Sequence, residues 1–256
     1  MIHIIVVSHY HDKYIFSLIN KLFDSSSLAL DIFRVYIKDN VNSVALRDYC
    51  ERKRVFYLPS DKCSGFARNN NLAAKSICEQ FKVNDNDYIL MLNPDVLIDA
   101  NEIAKLSEIL INKNYDLFTI DLYKDMDMTI RDPSVRHFPK LVDFFTSFFL
   151  GYNKSIIDRR DFSTHQIVDW CAGSFLGVRI SVFNEINGFD ENIFMYCEDI
   201  DICMRAKKNG HDLYYIPDVK AIHFSQNDNR KIFSKNFMWH LKSIIYIYRK
   251  HMLKLF

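Results

Sequence analysis

The strongest constraint on the fold is an alternation of short apolar runs with amphipathic segments. Ile2 to Val7 is a largely β-branched apolar run, typical of a strand buried on both faces in a parallel sheet. Helical periodicity follows through Tyr14, Leu18 and Leu22. The pattern then predicts strands at 30–37, 55–58, 88–92 and 117–122, and helices at 65–81 and 101–111. Strands that alternate with helices at this spacing predict an α/β sheet with right-handed crossovers.

Polar residues follow several of these predicted strands. The first strand runs into Ser8 to His11, the second ends at Asp39-Asn40, and a later one ends at Asn93-Pro94-Asp95. Ligands in open α/β sheets collect at the carboxyl ends of the strands. We therefore expect these residues to share one rim of the sheet, where a ligand binds.

Length and composition limit the class of protein. A chain of 256 residues with 49% hydrophobic and 25% charged residues is neither disordered nor a multispan membrane protein. The six cysteines form no Cys-x-x-Cys pair, and no apolar stretch reaches the roughly 18 residues that a spanning helix needs. We expect reduced thiols, no zinc site, no nucleic-acid partner and a cytoplasmic protein, peripheral to the inner face of the membrane.

The cluster Glu198, Asp199 and Asp201 places three carboxylates within four residues. Because like charges repel, a fold retains such a cluster where it caps a helix, binds cations or performs acid–base chemistry. A solvated helix N-terminus is therefore the alternative to a catalytic role.

Four other positions each have a functional and a structural interpretation. Asp95, at a strand end, is either a turn former or a ligand for Mg²⁺ or Mn²⁺. Asp39 either makes a turn or contacts the edge of a nucleotide base. A helix begins in the segment from Gly65 to Asn71. This segment either binds an anion, with Arg68, or uses its Asn residues only to cap the helix. His223, after a predicted strand at 219–222, is either structural or a ligand.

Taken together, these motifs resemble one family. Their order along the chain is Val6-Val7-Ser8, Asp39-Asn40, Gly65-Phe66-Ala67, Leu92-Asn93-Pro94-Asp95, Asp169-Trp170-Cys171-Ala172-Gly173, Gly188-Phe189-Asp190-Glu191, Glu198-Asp199-Ile200-Asp201, Pro217 and Ile222-His223. This order resembles the inverting family 2 glycosyltransferases with the A-type (GT-A) fold, and most of all their rhamnosyltransferase-like branch. The resemblance covers about residues 2 to 225.

The resemblance implies a role for each motif. The residue aligned with Asp39 contacts the pyrimidine, and Asp95 holds the metal that bridges the donor diphosphate. Asp199 is implied as the general base on the acceptor hydroxyl, with Glu198 beside it. The further implied contacts are donor binding by Ser8, Gly65, Arg68 and Asn70, acceptor binding by Trp170 and Asp201, and metal binding by His223.

The resemblance also implies an activity. We expect a Mg²⁺- or Mn²⁺-dependent inverting transferase that moves one sugar, L-rhamnose from dTDP-rhamnose, to a saccharide acceptor linked to polyprenyl diphosphate. The product is expected to be a bacterial surface polysaccharide, O-antigen or capsule. A UDP-hexose donor and a non-catalytic nucleotide-sugar-binding subunit of an assembly complex are the alternatives. No Gln-x-x-Arg-Trp motif occurs, which argues against a processive synthase.

The C-terminal residues 230–256 differ from the rest of the chain. They contain seven Lys or Arg and no Asp or Glu. An apolar helical stripe through Phe237, Leu241, Ile244, Ile245, Tyr248, Met252 and Leu255 accompanies this charge. A basic amphipathic helix either lies on anionic lipid or packs on the domain with its basic face in water. We therefore predict a catalytic domain over 1–229 and a basic helical segment over 230–256.

Overall fold

A mixed sheet forms the centre of the fold. The computed structural model describes residues 1–23, 32–140, 142–144, 146, 153–225 and 234–251. The strands of these residues are β1 (Ile2–Ser8), β2 (Phe33–Asp39), β3 (Phe56–Leu58), β4 (Tyr88–Leu92), β5 (Val96–Leu97), β6 (Leu117–Tyr123), β7 (Val135–Arg136), β8 (Gln166–Val168), β9 (Trp170–Cys171), β10 (Phe175–Arg179) and β11 (Leu213–His223). The sheet order is β3-β2-β1-β4-β10-β6-β11-β5, β8 pairs with β11, and β7 and β9 form a separate pair.

Helices cover both faces of this sheet. They are α1 (Asp12–Phe23), α2 (Val44–Lys53), α3 (Phe66–Gln80), α4 (Ala100–Lys113), α5 (Ile180–Glu185), α6 (Glu198–Lys208) and α7 (Lys235–His251). Alternate residues of β1 face opposite sides: Ile4 belongs to the core with α1, α2 and α4, and Ile5 to the core with α3, α5, α6 and α7. Both faces of the sheet at β1 are therefore buried, which explains why this strand is apolar throughout.

The parallel register confirms the predicted rim. β1 pairs in parallel with β2 and β4, so that Ser8 lies opposite Asp39 and Val6 lies opposite Leu92. Strand β4 ends at Leu92, as predicted, and Asn93 to Asp95 follow it. The polar ends of these three strands therefore meet at one edge.

The sequence did not predict β10, an antiparallel strand in the middle of the sheet. It pairs with β4 on one side and with β6 on the other. A Cβ added at Gly177 would lie 2.0 Å from the ring of Phe118, so the aromatic ring fills the space that a side chain would take. Helix α2 was also missed, because only Leu46 and Cys50 on it are buried.

Helix α7 packs on the domain. Ser243, Ile244, Ile247 and His251 are its buried residues. The predicted boundary between residues 229 and 230 falls outside the described residues, as do Met252 and Leu255 of the apolar stripe. In the described part of the chain, no helix is both long enough and apolar enough to span a bilayer.

Candidate active site

The turn after β9 joins the acidic cluster to the rim of the sheet. The backbone N–H of Gly173 donates to Asp199 Oδ2 at 3.0 Å. In the next residue, the carbonyl of Ser174 accepts a hydrogen bond from the N–H of Asn93 at 3.0 Å. Asn93 lies two residues before Asp95. Adjacent residues of one turn therefore bind the carboxylate of Asp199 and the backbone two residues before Asp95.

Asp199 lies in the first turn of α6. The residues just before this helix, Tyr196 and Cys197, both have left-handed backbone angles, with φ of 67° and 68°. Consecutive non-glycine residues in this region are strained and persist only where surrounding contacts enforce them. The backbone therefore turns sharply just before α6, and the first turn of this helix contacts Gly173 through Asp199.

The carboxyls of Glu198 and Asp199 hold protons unusually well. Burial, followed by the negative charge of Asp199, raises the pKa of Glu198 to about 8. Burial also raises the pKa of Asp199, although hydrogen bonds from the N–H groups of Gly173 and Ile200 oppose the shift. Within the described residues, Glu198 Oε2 is buried without a hydrogen-bond partner. A carboxyl with raised proton affinity suits proton abstraction near neutral pH.

Asp95 and His223 are brought together by a short antiparallel ladder. His223, the last residue of β11, pairs with Val96 of β5, and Asp95 immediately precedes Val96. His223 Nε2 lies 3.5 Å from Asp95 Oδ1. On the other side of the ring, His223 Nδ1 lies 3.3 Å from Asp132 Oδ2. The imidazole thus lies between two carboxylates.

The surroundings of His223 and Asp95 determine the pKa values of both side chains. Burial opposes a charge on His223, but the hydrogen bonds to Asp132 and Asp95 outweigh it and raise its pKa to about 9. Burial alone would raise the pKa of Asp95, yet the hydrogen bond and the charge of His223 lower it. The site is therefore built to hold positive charge beside Asp95.

A divalent cation fits this donor set. A carboxylate is a preferred ligand of Mg²⁺ and Mn²⁺. A neutral imidazole is a common ligand of transition metals, and its other ring nitrogen often donates to a carboxylate. Across the described residues, no cluster of three or more His, Cys, Asp or Glu forms a metal cage. The protein would therefore supply Asp95 and His223, and the substrate and water would complete the coordination.

Ser8 and Asp39 stand side by side on the rim, where the donor base was predicted to bind. The carboxylate of Asp39 is fully buried and already accepts hydrogen bonds from the N–H groups of Val41 and Ser43 and from the hydroxyl of Tyr57. Ser8 is equally buried. In this conformation both side chains are buried beneath the surface of the rim. Contact of either with the nucleotide stays a prediction.

The Gly65 loop is held by the segment that precedes α6. A Cβ at Gly65 would lie 2.0 Å from the carbonyl oxygen of Phe194, and that same oxygen accepts the N–H of Phe66 at 3.0 Å. Arg68 pairs with Glu191 at 3.1 Å, and both are about half exposed. Asn70 is 1% exposed and donates to its own helix. Of the predicted donor ligands on α3, Arg68 alone presents a charged group at the surface.

The two predicted acceptor ligands have other partners. Trp170 is buried and its indole N–H donates to the carbonyl of His137 at 2.9 Å. Asp201 is fully buried and lies 2.7 Å from each of Arg205, Lys250 and His251. The structure therefore corrects the expectation that Asp201 faces the acceptor, because Arg205, Lys250 and the imidazole of His251 enclose its carboxylate. It joins α6 to α7 instead.

Sequence reasoning missed two residues of the site. Gly173 ends the motif that begins at Asp169, but its contribution is a backbone N–H, which the residue type does not reveal. Asp132 lies in the irregular region after β6, and it comes within reach of His223 only when the chain folds. The one local signal was Asp132-Pro133, a typical turn dipeptide.

Comparison with known proteins shows the family to which the chain belongs. The sequence profile of the family described as "Glycosyltransferase like family 2" matches residues 2–241. The chain is 41% identical over 254 residues to Rhamnosyltransferase WbbL of Escherichia coli (strain K12), which covers 99% of this chain and 95% of that protein.

A second relative matches a shorter stretch. N-acetylglucosaminyl-diphospho-decaprenol L-rhamnosyltransferase of Mycobacterium tuberculosis (strain CDC 1551 / Oshkosh) is 28% identical over 165 residues, which is 62% of this chain and 53% of that protein. The chain therefore matches about half the length of this relative.

Among solved structures, GalNAc-T7 with UDP, GalNAc and Mn²⁺ superposes with a TM-score of 0.67 at 11% identity. The match covers 97% of this chain and 47% of that one. At this identity the likeness concerns the fold alone.

Proposed function

Because this chain belongs to glycosyltransferase family 2, we propose that it transfers one L-rhamnose from dTDP-rhamnose to a hydroxyl of a saccharide acceptor, with inversion. The chain is a rhamnosyltransferase-like glycosyltransferase, and its α/β sheet has the GT-A fold. The observation that carries the rest is the turn at Gly173 and Ser174, which joins Asp199 to the strand end that bears Asp95.

The chemistry assigned to Asp199 is proton abstraction. Its carboxylate takes the proton of the acceptor hydroxyl while that oxygen forms a bond to C1 of the donor sugar. The C1–O bond to the diphosphate breaks from the opposite face, and the electron pair leaves with the nucleoside diphosphate. The N–H of Gly173 holds Oδ2, so that the carboxylate keeps its orientation between turnovers.

Asp95 and His223 are proposed to hold Mg²⁺ or Mn²⁺. A bound cation would neutralise charge that develops on the leaving diphosphate. Support comes from the position of the pair at the carboxyl end of β4 and from the two carboxylates around the imidazole. Arg68, at the N-terminus of α3, is proposed to add a further positive charge for the donor, in exchange for its present pairing with Glu191.

The acceptor is proposed to be linked to polyprenyl diphosphate and to lead to a bacterial surface polysaccharide, O-antigen or capsule. Support comes from the name of the M. tuberculosis relative, which acts on a diphospho-decaprenol saccharide. An acceptor with a lipid anchor requires the enzyme to work at a membrane surface.

The outer face of α7 supports a peripheral contact with an anionic membrane. The predicted apolar stripe is divided in the structure: Ile244 packs on the domain, whereas Leu241 and Ile245 are 40% and 52% exposed. Met238, which was not part of the predicted stripe, is 44% exposed. The exposed basic residues of the helix are Lys235, Lys242 and Arg249. The helix contains no acidic residue, so its outer face combines apolar and positive groups as interfacial helices do.

A donor panel tests the proposal. Thermal unfolding is measured with dTDP-rhamnose and with several UDP-hexoses, each with Mn²⁺ and with EDTA, and sugar transfer to a polyprenyl-diphosphate saccharide is followed by mass spectrometry. We expect stabilisation and transfer with dTDP-rhamnose and Mn²⁺. Transfer from a UDP-hexose alone would select the alternative donor. Binding of a donor without transfer to any acceptor would favour a non-catalytic subunit, which the presence of both Asp95 and Asp199 argues against.

A further inference from the structure

Asp132 faces the ring nitrogen of His223 that points away from Asp95. The distance from Asp132 Oδ2 to His223 Nδ1 is 3.3 Å, and the opposite nitrogen lies 3.5 Å from Asp95. Both Asp132 and His223 are buried. The chain thus places one carboxylate on each side of a single imidazole.

The backbone of Asp132 is fixed independently of His223. Its N–H donates to the carbonyl of Leu122 at 2.8 Å. Its carbonyl accepts from Arg159 Nη2 at 2.6 Å and from the N–H of Ser134 at 2.8 Å. These bonds connect Asp132 to the end of β6 and to a buried arginine, so the side chain starts from a rigid backbone.

The two arginines near Asp132 pair with a different carboxylate. Arg159 contacts the carbonyl of Asp132 and lies 3.6 Å from the carboxylate of Asp121. Arg131 also pairs with Asp121, at 3.1 Å. The two arginines therefore share Asp121, and the carboxylate of Asp132 is directed to His223.

An imidazole binds a cation through one unprotonated nitrogen, and the hydrogen bond at the other nitrogen decides which one that is. We infer that Asp132 is a positioning residue that accepts the Nδ1–H of His223 and thereby keeps the Nε2 lone pair directed at the cation beside Asp95. A bound cation would require Nε2 without a proton, while Nδ1 would keep its proton and donate it in the hydrogen bond to Asp132. This inference rests on the proposed cation site.

The test measures binding, not turnover. Asp132→Asn keeps the size of the side chain but can present an amide N–H to Nδ1, which favours the wrong tautomer. Carboxylates behind a metal-bound histidine typically contribute about 10- to 100-fold in metal affinity. We expect the affinity for Mn²⁺, measured by electron paramagnetic resonance with dTDP present, to fall by about that factor.

A matched control is Asp218→Asn, because Asp218 also accepts a hydrogen bond from a histidine, His165, at 2.8 Å on another part of β11. It should bind Mn²⁺ as the unmodified protein does. In a His223→Gln background, Asp132→Asn should cause no further loss. An equal further loss there, or wild-type Mn²⁺ affinity for the Asp132→Asn protein, would overturn the inference.

A measurement on the unmodified protein covers the case in which Asp132→Asn does not fold. With ¹⁵N-labelled histidine, Mg²⁺ and dTDP, the nitrogen shifts of His223 should show a protonated Nδ1 and an unprotonated Nε2. The opposite tautomer would rule out the assigned role. If Asp95→Ala and His223→Gln both leave Mn²⁺ affinity unchanged, the cation site itself fails; if they abolish it and Asp132→Asn does not, this inference alone fails.

Discussion

The carboxylate of Asp201 on α6 lies 2.7 Å from the ammonium group of Lys250 on α7. His251 approaches the same oxygen at 2.7 Å, and Lys250 also pairs with Asp190 at 2.6 Å. The C-terminal helix is therefore bonded directly to the helix that carries the proposed base. Its inner face belongs to the catalytic domain, whatever its outer face contacts.

This pairing predicts a large loss of stability for Asp201→Asn. The substitution removes the carboxylate partner of Arg205 and leaves Lys250 with Asp190 alone. Loss of one partner of a buried ion pair costs about 3–5 kcal/mol. Urea denaturation measures the loss. Lys242→Met, on the outer face of α7, is the control and should change stability by less than about 0.5 kcal/mol. Similar stability of the two variants would mean that the ion pairs do not hold α7.

Asp199→Asn should reduce turnover by roughly 10² or more, because it preserves the shape and removes the proton acceptor. The affinity for the donor, measured by calorimetry, should be unchanged. Asp212→Asn, beyond the far end of α6, is the control and should retain normal turnover. Near-normal turnover of the Asp199→Asn enzyme would transfer the role of base, with Glu198 as the first residue to examine.

Asp95→Ala should abolish the part of donor affinity that depends on Mn²⁺, because it removes the one carboxylate proposed to bind the cation. Calorimetric titration with dTDP, in Mn²⁺ and in EDTA, separates that part from the rest. The affinity in EDTA should not change. Asp158→Ala, an exposed ion-pair residue, serves as control. Equal Mn²⁺ dependence in Asp95→Ala and wild type would refute the assignment.

Glu198→Gln should stabilise the protein, and more so at higher pH. The pKa of Glu198 is raised from 4.5 to about 8 on folding, so the folded state holds the proton more tightly than the unfolded state. Stability is therefore fully present below pH 4.5 and is lost as the pH rises towards 8. Glutamine cannot ionise and avoids this loss, which is on the order of a few kcal/mol. Melting temperatures at pH 5 and pH 8.5 test the sign: a gain that shrinks with pH contradicts it.

Replacement of Met238, Leu241 and Ile245 together by serine should release the protein from anionic vesicles without unfolding it, because these side chains are exposed. Each nearby Lys or Arg contributes about 1 kcal/mol, so the remaining binding should weaken with salt. Vesicle flotation measures this. Ile111→Ser, which removes an exposed apolar side chain from α4, is the control. Absence of binding by the unmodified protein would leave the outer face without a lipid partner.

The sequence predicted the parts of the fold that local pattern controls. The apolar run at Ile2 to Val7 gave β1, and the run at Tyr88 to Leu92 gave β4 with its observed ends. The rim formed by their carboxyl ends followed from strand direction. Strand β10 could not be predicted in the same way, since Gly177 is explained only by the ring of Phe118 from another strand.

The site was predictable where a motif is contiguous, as at Glu198 and Asp199. It was not predictable where the function of a residue depends on its neighbours in space. Asp201 was predicted to bind the acceptor, but it faces α7 because it lies two residues further round the helix than Asp199. Asp132 belongs to no catalytic motif, and its link to the site is identified by its distance to His223.

The absence of space at Gly65 limits how relatives of this enzyme can be recombined. The carbonyl of Phe194 occupies the position of the missing side chain and also accepts the N–H of Phe66. A chimera that takes the helix beginning at Phe66 from one parent and the chain around Phe194 from another would join two surfaces that were shaped separately. Donor preference should therefore be transplanted with both segments from the same parent.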